Sequence, residues 1–197
     1  MRPTGPRCRG FTLIELMVVV GLVVVLIALA APSARRMIDV QRVNSINAQL
    51  VTDLQFARSE AASRNAHVRT TFNWDATQTC YSIYTYNVSV SGDLTRCNCL
   101  QVPACTAAGS VEIKTVRIPL DLGVHVRPAS ALDREFAFEP LTGALFTVTT
   151  DFPGAPLTLF GMVTFMDLPR SLRTTVSLTG RPTVCAPAGS KMSAPAC

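Results

Sequence analysis

The sequence predicts an α+β protein, one long N-terminal α-helix packed against a C-terminal antiparallel β-sheet domain. Three observations carry that prediction. An uncharged apolar run of 19 residues, 16–34, follows a short basic segment. Apolar side chains then recur every three or four residues from Val40 to Ala61, the period of one helical face. From Val68 onward the chain breaks into short alternating runs separated by proline and glycine turns, which is the pattern of antiparallel strands.

Taken in order, residues 1–10 carry Arg2, Arg7 and Arg9, two prolines and no acid, so they read as a positive leader on the cytoplasmic side. As helix, residues 16–34 would span roughly 29 Å at 1.5 Å per residue, about the thickness of a bilayer core. Glu15 stands at the mouth of this run. A carboxylate at bilayer depth costs on the order of 2.5–3.5 kcal/mol, so a lone one there implies a task. The plain alternative is a signal peptide cut near Ala28-Leu29-Ala30. Against it stand Glu15 and a helical pattern that continues past Ala34.

Arg35 and Arg36 mark the exit from the apolar run. Val40, Val43, Ile46, Leu50, Leu54, Ala57 and Ala61 then form one stripe, and Glu60 with Arg64 makes an i,i+4 pair in the favourable order. Asn65, which tolerates the left-handed conformation, ends the helix. One helix of about 55 residues is therefore expected over residues 11–65. Strands are expected around Val68–Thr70–Phe72 and, after a turn at Asn73-Trp74-Asp75-Ala76, around Tyr81–Ile83–Thr85, with Tyr84, Tyr86, Val88 and Val90 on the opposite face. Ser91-Gly92-Asp93 turns into a cysteine-rich loop, 97–105. Further runs are expected over residues 111–118, 122–126, 136–138, 145–148, 157–165 and 172–178. The chain thus divides into a leader (1–10), an apolar helix half (11–34), an amphipathic half (35–66) and a β-domain (67–197).

At 48% hydrophobic and 7% aromatic residues the chain is globular in composition. The formal charge of +5 falls to +2 once the three leader arginines are set aside, so bulk charge says little about partners. The distribution says more: after Asp167 come Arg170, Arg173, Arg181 and Lys191 with no acid. Such a patch can neutralise DNA phosphates, although scattered basic residues more often form a solvated face. Cys8 lies in the leader, which leaves Cys80, Cys97, Cys99, Cys105, Cys185 and Cys197. An even set in an exported domain reads as disulfides, and six cysteines allow 15 connectivities. Cys97, Cys99 and Cys105 lack both a fourth ligand and the usual zinc spacers, so no metal site is assigned. His67 and His125 stand in separate strand-like runs with no nucleophile, metal pair or phosphate loop nearby. The chain reads as a non-enzyme without a cofactor.

Gly10-Phe11-Thr12-Leu13-Ile14-Glu15 resembles the class III signal of type IV pilins and type II secretion pseudopilins. The resemblance implies cleavage by prepilin peptidase after Gly10 and methylation of the new amine on Phe11. It implies that Glu15 neutralises the N-terminal ammonium of a neighbouring subunit, since two buried opposite charges are tolerable only when paired. It also makes Pro32 a helix-bending proline. The segment from Leu54 to Asn65, followed by Val68, is similar to the helix end of the FimT/FimU/GspH group of minor pilins and pseudopilins, and Val176-Ser177-Leu178-Thr179-Gly180-Arg181 is similar to that group's closing strand and turn. The likeness is strong over residues 9–68, patchy to 165 and suggestive beyond. Many pilins close a C-terminal loop by a disulfide, which implies the pair Cys185–Cys197. FimT-type pilins of transformable bacteria carry a Gly-Arg-x-Arg motif implicated in DNA uptake; here Thr183 replaces the second arginine of Gly180-Arg181-Pro182-Thr183.

By this resemblance the protein is an inner-membrane prepilin with its C-terminal domain in the periplasm. Its mature form would join the tip or priming complex of a type IV pilus, with other major and minor pilins and the inner-membrane assembly platform as partners. A GspH-like pseudopilin of a type II secretion system and a pilus-tip DNA receptor are the alternatives.

Overall fold

The computed structural model describes residues 11–86, 96–130, 134–148 and 156–197, apart from the side chains of residues 30–34 and 86. The leader with Cys8 and Gly10, the expected strand residues Val88 and Val90, and the turns at Ser91-Gly92-Asp93 and Pro153-Gly154 lie outside the described residues. The chain divides into two compact units between Ile38 and Asp39.

Helix α1 (Leu13–Arg64) runs through both units. Thr12 caps its start: the Glu15 amide donates to Thr12 Oγ1 at 3.3 Å, in the Thr-x-x-Glu spacing of a capping box. Asn65 ends it with φ +46°. The Asn65 amide donates to the Ala62 carbonyl and the Ala66 amide to that of Ala61, the paired bonds of a Schellman turn. In the first unit the side chains of residues 11–29 are exposed. The apolar run expected to span a bilayer continues into residues 30–34; among the described residues no helix is long and apolar enough to cross a membrane.

In the second unit the predicted stripe is the core. Val43, Leu50, Leu54, Ala57 and Ala61 are completely buried, with Val40 and Ile46 partly so. Among the described residues nine strands cover them: β1 (Val68–Trp74), β2 (Gln78–Tyr86), β3 (Ser110–Pro119), β4 (His125–Pro128), β5 (Glu135–Phe138), β6 (Leu145–Phe146), β7 (Leu159–Asp167), β8 (Arg170–Ser177) and β9 (Pro182–Cys185). They form two antiparallel sheets, ordered β3-β2-β1-β5-β6 and β4-β7-β8-β9. The register of β1 places Phe72 opposite Tyr81 and Val68 opposite Phe138, so these side chains share the face that meets the helix stripe. Phe160, Met162 and Val176 of the second sheet join the same core, while Leu172, Val124 and Met192 close over Val43.

Three local readings change. The run expected over residues 122–126 begins in a 3-10 turn, Leu120–Leu122, and only its end joins β4. Trp74 belongs to β1 rather than to the turn after it, because Asp75 makes that turn alone: its carboxylate accepts from the Thr77 amide at 2.6 Å and the Gln78 amide at 2.9 Å. Strand β9 is an addition, a four-residue run bracketed by proline and cysteine and too short to stand out by alternation.

Candidate functional site

The helix start presents Phe11, 83% exposed, and Glu15, whose carboxylate makes no ion pair among the described residues. The cap assigns Glu15 a local role beside any assembly role, since a carboxylate in the first turn complements the partial positive charge there. That role was legible in Thr12-Leu13-Ile14-Glu15.

Where the helix enters the second unit, polar side chains tie it to the sheets at positions that keep stripe spacing. Asp39 pairs with Arg170, which Asp167 also holds through a 2.5 Å contact. Asn47, four residues after Val43, accepts from Thr164 at 3.0 Å and Thr174 at 2.8 Å. Asp53, three after Leu50, accepts from Tyr81 at 2.8 Å and Lys114 at 2.6 Å. Burial, followed by the carboxylate of Asp53, pushes the Tyr81 hydroxyl far above the ordinary phenol range. Asn47 and Asp53 escape a purely apolar reading of the stripe, and their spacing is the signal that could have found them.

The four basic residues after Asp167 do not converge. Arg170 is held between Asp39 and Asp167, which leaves Arg173, Arg181 and Lys191 as exposed cations. Arg173 lies on β8 and lines a cleft of about 570 Å³ with the C-terminal loop. Arg181 lines a different cleft, of about 590 Å³, together with Arg58 of the helix.

The cysteines are joined as Cys80–Cys99, Cys97–Cys105 and Cys185–Cys197. Of the sulfurs considered for zinc, those of Cys97 and Cys105 are bonded to each other and that of Cys99 is bonded to Cys80. Cys80–Cys99 fastens the cysteine-rich loop to β2, and Arg117 holds the loop by donating to the carbonyls of Cys99 and Gln101, each at 2.8 Å. Near this loop the far face of the first sheet buries Arg69, Tyr84 and Glu135. Burial pushes the Glu135 carboxyl up despite Arg96, 2.5 Å away, and the nearby Arg69; it pushes the Tyr84 hydroxyl up to about 12. His67 and His125 are held below their ordinary values by burial, and His125 stacks on Phe165 at 5.1 Å. Among the described residues no three or more His, Cys, Asp or Glu side chains gather as a metal site.

A long N-terminal helix followed in sequence by an antiparallel β-domain with disulfides is the architecture of a pilin-like protein. Residues 5–31 match the family model of the prokaryotic N-terminal methylation motif, and residues 47–180 match that of the type II transport protein GspH. The second match covers more than half of the chain, and the protein belongs to the GspH family. Proteins of this kind, type IV minor pilins and GspH-like pseudopilins, are structural. No curated protein matches the chain. Among solved structures, it is similar to the type IV minor pilin FimU of Pseudomonas aeruginosa strain PAO1, at 16% identity and a TM-score of 0.44, over 73% of this chain and 90% of that one.

Proposed function

We infer that this protein is a minor type IV pilin. Prepilin peptidase cuts between Gly10 and Phe11 and methylates Phe11; residues 11–34 hold the chain in the inner membrane, with Pro32 bending the helix and the β-domain in the periplasm. The helix then passes into a filament core beside other pilins, where Glu15 pairs with a neighbour's N-terminal ammonium. One observation carries this reading: every large apolar side chain from Phe11 to Leu29 is at least 46% exposed. A row of that length is stable only when lipid or other helices cover it. Mass spectrometry of membrane-extracted protein, with and without prepilin peptidase, tests processing; the expected species begins at methylated Phe11 only when the peptidase is present. A chain beginning near Ala31 in both strains overturns the reading. In the same cells Glu15→Leu should leave the disulfides and thermal midpoint unchanged while removing the protein from sheared filaments.

The matched family model, described by type II transport, favours a second reading in which the same anchor serves a secretion pseudopilus. Deleting the gene separates the two: loss of surface pili with secretion intact supports the pilin, and the reverse supports the pseudopilin.

A further inference from the structure

The cleft shared by Arg58 and Arg181 has a construction that a solvated surface does not need. Its helical wall is Gln55, Arg58, Ser59 and Ala62, one face beside the buried stripe; the opposite wall is two turns, residues 140–143 and 180–182. The Arg58 side chain lies against both turns. Its Nη2 donates to the Thr142 carbonyl at 3.5 Å. A Cβ at Gly143 would stand 2.4 Å from Arg58 Nε, and one at Gly180 would stand 2.9 Å from the same atom and 2.1 Å from the Gly143 carbonyl oxygen. Both glycines are buried, with φ of +68° and +73°. Two left-handed glycines are therefore placed where they make a bed for one guanidinium. Gly180 of the Gly-Arg turn has a structural reason that is independent of any ligand.

The bed fixes Arg58 and leaves it without an acid. Arg58 and Arg181 are the charged side chains lining the cleft, and among the described residues neither has a carboxylate within 4.0 Å. A held guanidinium is preorganised for forked hydrogen bonds to an oxyanion, and a second one on the facing turn supplies another charge. The rim is apolar, formed by Pro140, Pro182 and Leu141, the last 83% exposed. We propose that this cleft receives one carboxylate flanked by an apolar side chain, an aspartate or glutamate on a neighbouring subunit of the assembly. The identity of that partner rests on the filament reading above; the chemistry of the cleft does not.

A nucleic acid fits less well. A phosphate backbone needs a track of cations, and the cleft supplies two. Arg170 is neutralised by Asp39 and Asp167, and Arg173 lines a different cleft.

The test titrates the full chain in detergent micelles while following the Nε–H resonances of Arg58 and Arg181. The probes are acetyl-Leu-Glu-amide, its glutamine counterpart, inorganic phosphate and a single-stranded oligonucleotide. The glutamate peptide should shift both resonances and bind about tenfold more tightly than the glutamine peptide, the ratio expected for one charge-assisted contact. Arg181→Gln should narrow the difference, and Arg173→Gln should leave it. Equal binding of the two peptides overturns the proposal, as does an oligonucleotide that binds far more tightly than phosphate with a steep salt dependence, which reassigns the cleft to nucleic acid. In cells, Arg181→Glu should lower incorporation into filaments about tenfold at an unchanged membrane level and thermal midpoint. If the wild-type chain is itself absent from filaments, the pilin reading fails whatever the titration gives. If wild type and Arg181→Glu incorporate equally, the partner inference fails alone.

Discussion

Two stretches of the same helix behave as if they belonged to different proteins. Val20, Val24 and Leu26 are each more than half exposed, whereas Leu50, Leu54 and Ala57 are completely buried. Backbone hydrogen bonding is helical in both, so the difference lies in what surrounds them. The second stretch alternates apolar with polar residues and leaves one stripe for two sheets to cover. The first is apolar all round, a pattern suited to lipid or to a bundle of like helices and unsuited to one covered face. Helical propensity is satisfied twice in one chain, and burial only once.

The largest effect that separates the stretches comes from removing equal chemistry in each. Leu54→Ala should destabilise the β-domain by about 2–5 kcal/mol, the range for a fully buried leucine. Val24→Ala should leave its thermal midpoint unchanged, because the Val24 side chain is exposed. Denaturant unfolding of the full chain in micelles, followed by near-UV dichroism, reads both. Equal losses would show that the exposed stretch is packed on the domain after all.

A second change tests where the cover begins. Val43 is the first fully buried residue of the stripe, and Met192 of the C-terminal loop is among the residues that close over it. Cys185–Cys197 holds that loop across 12 residues, so replacing both cysteines by serine should cost about 3 kcal/mol in the chain-entropy account. Hydrogen exchange near Val43 should rise while that near Leu54 holds. Uniform loss of protection along the helix would place the disulfide's effect in the whole domain.

What the sequence shows and hides follows the same division. The stripe, the cap at Asn65 and the alternation of Val68–Thr70–Phe72 with Tyr81–Ile83–Thr85 depend on local periodicity and are visible in the residues. The closing disulfide was implied by resemblance. Cys80–Cys99 and Cys97–Cys105 were hidden, because pairing depends on where β2 lies beside the loop. The division into two sheets, and the capture of Arg170 by Asp39 and Asp167, join positions far apart in the chain. The Arg58–Arg181 cleft was half legible: Gly180-Arg181 stood out as a motif, but nothing near Arg58 signalled that Gly143 and Gly180 would make its bed.

Asn47 offers a smaller test of why the cover fits only one way. Its side-chain oxygen accepts from Thr164 on β7 and Thr174 on β8, diagonal neighbours across the two paired strands, and all three groups are buried. Asn47→Ala leaves two buried hydroxyls without their acceptor and should cost about 1–3 kcal/mol. Asn47→Leu should fail to recover that loss, because it restores volume and no acceptor. A fully stable leucine variant would show that packing alone registers the helix on this sheet.

The smallest effect concerns the far face of the first sheet, which the helix does not touch. Burial raises the Glu135 carboxyl above its ordinary value, with Arg96 and Arg69 opposing the shift. The folded state therefore binds a proton more tightly than the unfolded chain does. Between the two pKa values the folded state holds more protons, so stability falls as pH rises through that window and the loss is complete above the folded value. Asp167 and Glu139, whose carboxyls are held below the ordinary range by hydrogen bonds, act in the opposite sense and at lower pH. The informative quantity is the difference between wild type and Glu135→Gln, measured as urea midpoints across the acid range in one buffer series. That difference should move in favour of the glutamine variant as pH rises from below the ordinary glutamate value, and then level off. A difference that moves the other way would mean that Arg96 and Arg69 outweigh burial, making this face an ion-pair site held by charge, in contrast to the apolar cover over the helix.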